Sequence, residues 1–88
     1  MNKPSGKYAA LKGLYQAHSD ADYSLAVFGD YLAEREGYKS HRDMDAVHFY
    51  LVNKYSWPLS HVRGMSLEDI RFLLAEDMHD WTLPKEAL

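Results

Sequence analysis

The chain has 88 residues, 13 acidic against 10 basic, for a net charge of −3, and it contains no cysteine. This length holds one domain and not two, and the absence of thiols excludes a disulfide scaffold or a thiolate zinc site. The acidic balance argues against coating nucleic acid, which takes clustered Lys and Arg.

No apolar run approaches the ~20 residues that cross a bilayer. The start, Met1-Asn-Lys-Pro-Ser-Gly-Lys, has no secretory-type apolar stretch. The expected location is therefore the cytoplasm, with no membrane association.

A first helix is expected to begin near Pro4 and Ser5 and to continue from Lys7 to His18. Tyr8, Leu11, Leu14, Tyr15 and His18 share one face at helical spacing. Gly13 weakens it by about 1 kcal/mol relative to alanine. Ser19, Asp20, Ala21 and Asp22 read as an acidic, cap-rich connection.

The second helix is predicted from about Tyr23 to Glu36, with Gly37 as a left-handed cap. Its stripe is Leu25, Phe28, Gly29 and Leu32, flanked by Ala26 and Ala33. A glycine within that stripe lets a neighbouring helix come close. Asp30 and Glu34 are expected to face water.

Ser40 reads as the N-cap of a third helix, with Asp43 and Asp45 at the positive end of its dipole. Met44, Val47, Leu51 and Tyr55 recur on one face, Val52 widens it, and Phe49 and Tyr50 point elsewhere. A helix apolar nearly all round belongs at the centre of a fold.

Ser56-Trp57-Pro58 ends it, since proline disfavours helix for the residue before it. Pro58 then opens a short turn through Val62 or Arg63, which Gly64 closes. Ser66 followed by Asp69 resembles a capping box, and the last helix is expected to run to about His79. Leu67, Ile70, Leu73, Leu74, Met78 and Trp81 line its buried face. Residues 82–88 read as a tail, and 1–6 and 82–88 as flexible ends. The fold class expected is all-α: one orthogonal bundle of four or five short helices.

His48, inside the apolar face of the third helix, reads as a core histidine bonded to a carbonyl or a carboxylate. No metal-ligand spacing such as His-Glu-x-x-His is present, and His18, His41, His61 and His79 are scattered. No phosphate loop, nucleophile elbow or paired carboxylates mark an enzyme, and no cofactor is implied.

Two residues of the last helix stand out. Phe72 points away from the buried stripe among Glu68, Glu76 and His79, as a partner-binding anchor would. Asp77 falls within the apolar stripe, where an unpaired carboxylate is costly. It must reach solvent, pair with a nearby base, or meet a charge on a partner protein. The candidate partner-binding residues are thus Phe72, Glu68, Glu76 and Asp77. The two helices around Gly64 also suggest a DNA-binding helix-turn-helix. Its recognition helix would carry Glu68, Asp69, Glu76, Asp77 and Asp80 against Arg71 alone, a charge of −4 that phosphates repel.

The run from Lys54 to Met78, with its Tyr55-Ser-Trp-Pro turn and its Met65-Ser-Leu cap, resembles a pattern in small tail-assembly chaperones of tailed bacteriophages. The likeness covers about 25 of the 88 residues. The resemblance implies a protein that binds the tape-measure protein or tail-tube subunits through apolar helical surface, without chemistry. The residues it carries over are Trp57, Pro58, Val62, Met65, Leu67, Ile70 and Leu74, as a structural hairpin. The function expected is a non-enzymatic interaction module: a phage or prophage assembly chaperone, or an inhibitor or regulator of a larger complex. The partner is another protein or a second copy, and the alternative is a small DNA-binding regulator.

Overall fold

The structure is a computed structural model that describes residues 6–15 and 20–88. Five α-helices follow one another: α1 Gly6–Tyr15, α2 Asp20–Glu36, α3 Asp43–Tyr55, α4 Leu59–Arg63 and α5 Leu67–Leu74. A single 3-10 turn, Lys85–Ala87, comes last. No strand occurs among the described residues, and the helices pack on one another as an all-α bundle. The expected extension of α1 to His18, and Ser19 after it, lie outside the described residues.

α2 starts earlier than its apolar pattern suggests. Asp20 and Asp22 belong to its first turn, where their charges meet the positive end of the helix dipole. Its C-terminus is a Schellman motif. Gly37 sits at φ +78°, while the N–H of Tyr38 donates to the Ala33 carbonyl at 2.8 Å and that of Gly37 to Glu34 at 3.3 Å.

α2, and not α3, is the central helix. Tyr23, Leu25, Ala26, Val27, Phe28, Gly29, Leu32 and Ala33 of α2 are buried, against Ala46, Val47 and Leu51 of α3. The apolar circumference of α3 is divided instead. One face enters the core, Tyr50 is half-buried against it, and Phe49 lies at the surface.

The two helices meet at Gly29. A Cβ there would overlap the Asp43 carbonyl oxygen and lie 2.9 Å from the Asp43 Cα. Beside it, Asp30 does not face water. Its Oδ1 accepts the Asp43 N–H and its Oδ2 the Tyr8 hydroxyl, each at 3.1 Å, so one carboxylate joins α1, α2 and α3. The Tyr8 hydroxyl is accordingly pushed up to about 12, by burial first and by the charge of Asp30 second.

Arg42, not Ser40, occupies the N-cap of α3, and its side chain makes no capping bond. Asp43 begins the helix at φ +51°, a left-handed conformation that aspartate tolerates better than most residues. The start of α3 is therefore fixed from outside, by Asp30, and not by a local cap.

The main core joins Leu25, Phe28 and Leu32 to Val47, Leu51, Val62, Ile70 and Leu74. α3 ends at Tyr55, its C-cap Ser56 is left-handed at φ +56°, and Pro58 is the N-cap of α4. Ser66 caps α5 by accepting the Asp69 N–H at 3.1 Å, as the sequence predicts.

α5 ends at Leu74, short of His79, and turns fill 75–80. Those turns still bring Met78 and Trp81 onto the core. Residues 82–88 are not a loose tail. Ala87 is buried against Tyr23 and Val27, and the Tyr23 hydroxyl donates to the Ala87 carbonyl at 2.7 Å. Trp81 touches both this cluster and the main core.

Substituting Gly29→Ala should lower stability by about 2 kcal/mol, since overpacking against backbone outweighs the gain in helix propensity. Gly13→Ala, with open space around its Cβ, should raise it by up to about 1 kcal/mol. Thermal unfolding of both variants beside the parent chain checks the opposite signs.

Candidate protein-binding surface

α5 splits by character. Ile70 and Leu74 point into the core and Leu67 and Leu73 pack against it. Phe72 is 81% exposed, more than any other large apolar residue among those described. Glu68 and Glu76, one turn to either side of it, are exposed, as is Asp69. The one basic residue of α5, Arg71, is turned away and forms an ion pair with Asp22 of α2. The outer face is thus an aromatic ring between carboxylates, with no cation of its own helix to neutralise them.

Asp77 is not part of that face. Its Oδ1 accepts the Tyr50 hydroxyl at 2.9 Å, its Oδ2 lies 3.3 Å from the Lys54 ammonium, and the Arg35 guanidinium is 3.6 Å away. These groups come from α2 and α3, so Asp77 pins the turn after α5 to both. Burial alone would raise its pKa. The Tyr50 hydroxyl and Lys54, with Arg35 adding its charge, overcome burial and hold the carboxyl below the ordinary 3.8. Burial and Asp77 together push the Tyr50 hydroxyl up. Of the three outcomes open to a carboxylate in the apolar stripe, Asp77 takes pairing with nearby bases inside the fold.

The hairpin residues hold the corner of the fold. Val62, Ile70 and Leu74 are in the core, and Trp57, Met65 and Leu67 pack against it. The Trp57 ring stacks on Tyr55 at 4.5 Å and meets His61 edge-on at 4.9 Å. Pro58 supplies the carbonyl that accepts the His61 and Val62 N–H groups.

A second feature was not singled out in the sequence. Between α3 and α4 lies an open cleft of about 280 Å³, floored by Phe49, Val52 and Leu59 and rimmed by His41, Asp45, His48 and Arg63. Its signal was available, because Asp45, His48, Phe49 and Val52 follow at helical spacing on the second apolar face of α3. His41 packs on the Phe49 ring at 4.6 Å.

His48 is half-buried, and its Nδ1 is buried with no hydrogen-bond partner, so it is not the bonded core histidine expected. Burial lowers its pKa. The charge of Arg63 lowers it further, against an opposing pull from Asp45. It is therefore neutral near pH 7. Of the other histidines, His61 and His79 are exposed elsewhere and His18 lies outside the described residues. Among the described residues no three His, Asp or Glu side chains converge as a metal site, and no helix is long and apolar enough to cross a membrane.

The chain matches no family model, no curated protein and no solved structure.

Asp77→Asn should cost about 1 kcal/mol at neutral pH, the loss of charge-assisted bonds in a half-buried site. Because the folded carboxyl titrates below 3.8, the fold favours the charged form. The stabilisation is complete above that value and disappears as pH falls through the folded pKa. Urea unfolding of both proteins across acid pH should show the gap closing in that direction.

Proposed function

We propose that this chain is a non-enzymatic protein-binding module that acts by docking on a larger protein through the outer face of α5. The observation that carries the reading is Phe72, an aromatic side chain held out in water by a helix whose other face is anchored in the core. Exposed aromatics framed by polar residues are the usual centres of binding energy. The flanking Glu68 and Glu76 suit a partner with basic groups around an apolar pocket, and they speed its approach.

Within that class, the Trp57-Pro58 corner and the capped α5 support a phage or prophage assembly chaperone, or an inhibitor or regulator of a larger complex, working in the cytoplasm. DNA binding fits less well. The exposed face of α5 in the helix-turn-helix arrangement presents Glu68 and Asp69, with Glu76 in the turn just beyond it and Arg71 held back by Asp22.

A photo-cross-linking residue at position 72, in the organism that carries the gene, should label one defined protein other than the chain itself. Phe72→Asp should then weaken binding of that purified partner by about 2 kcal/mol, about 30-fold in Kd. Tail genes on both sides of this one would point to the chaperone. No labelled protein at 72, together with salt-sensitive retention on duplex DNA, would contradict the proposal.

A further inference from the structure

The cleft between α3 and α4 has an apolar lining with the Arg63 guanidinium at one side, suited to an aromatic side chain with a carboxylate next to it, and this chain displays one. The floor is apolar, and two of its residues, Phe49 at 36% and Leu59 at 42%, are among the few large apolar side chains left exposed. An opening of about 280 Å³ accommodates a phenyl ring. The rim carries one permanent cation, the Arg63 guanidinium, and one carboxylate, Asp45, and His48 between them in the lining is neutral near pH 7. Phe72, with Glu68 and Glu76 a turn to each side, supplies the matching knob: an apolar ring for the floor and a carboxylate for Arg63. Asp45 is the one acid on the rim, and it favours the register that sets Arg63 against the glutamates. A chain cannot satisfy its own cleft, because its own Phe72 stands in solvent.

We infer that the α3–α4 cleft is a docking site for the Phe72 face of a second copy of this chain. This rests on the same anchor as the partner-binding reading, but the cleft separates the two. Leu59→Asp removes the floor without touching α5, so it should abolish self-association and leave the cross-link from position 72 to a different protein intact.

The test is analytical ultracentrifugation of the purified chain, carried up to about 1 mM because one aromatic anchor makes a contact below the standard interface size. The weight-average mass should climb from the 10.2 kDa of a single chain with concentration, and fall back as salt rises. Phe72→Asp and Leu59→Asp should each sediment as single chains. Mixed together they should form a one-to-one pair, since one keeps a sound cleft and the other a sound knob. Far-UV circular dichroism checks that both fold, and Phe72→Ser with Arg63→Glu replaces any variant that does not. A parent chain that stays at 10.2 kDa at the highest concentration, a single variant that still associates, or a mixture that fails to pair would each overturn the inference.

Discussion

Gly29 and Asp30, side by side on α2, set the position of everything else. The bare Cα of Gly29 lets the first residue of α3 come into backbone contact, and Asp30 takes hold of the Asp43 N–H that arrives there. A hydrogen bond to a charged acceptor is worth about 1.5–3 kcal/mol, enough to hold Asp43 in its left-handed conformation. The same carboxylate accepts the Tyr8 hydroxyl. Two adjacent residues therefore fix the angle at which α3 crosses α2 and the seat of α1. Once α3 is placed, one of its faces closes the core with Val47 and Leu51, and the opposite face becomes the wall of the cleft.

The carboxylates divide into those used inside and those left outside. Asp22, Asp30 and Asp77 are each engaged by a group from another helix, Arg71, Tyr8 with Asp43, and Tyr50 with Lys54 and Arg35 respectively. Asp77 carries the most. α5 is only two turns long, and the turns that follow have few bonds of their own, so a charged tether to α2 and α3 keeps Met78 and Trp81 on the core. Trp81 in turn seats the segment that ends in the buried Ala87. Glu68 and Glu76 beside Phe72 are among the carboxylates left at the surface. The surface chemistry of α5 is a consequence of which acids the fold consumes.

Much of this was legible beforehand, and the exceptions share a cause. The caps at Gly37 and Ser66, the corner at Trp57-Pro58, the close approach at Gly29 and the outward Phe72 all follow from residues acting on their immediate neighbours. Asp30 and Tyr50 depart from their expected places because their roles are set by residues 13 to 27 positions away, which periodicity does not register. The N-cap of α3 was misread for the same reason: Ser40 is the better local cap, yet Asp30 determines where the helix starts. Residues 82–88 look polar and proline-broken, and what docks them is the Tyr23 hydroxyl, the Lys12 ammonium on the Leu88 carbonyl, and the Leu83 and Ala87 side chains. The cleft is hidden in the sequence because an α3 apolar nearly all round reads as a central helix, whereas one of its faces enters the core and another lines the cleft.

Amide hydrogen exchange tests the central claim most directly, because protection reports which contacts open last. If the Gly29–Asp43 seam organises the bundle, the slowest amides fall in the middle of α2, around Phe28 to Ala33, and in α3 around Val47 to Leu51. Residues 75–80 should exchange much sooner. Protection concentrated in α4 and α5, with the α2–α3 seam opening early, would contradict the account.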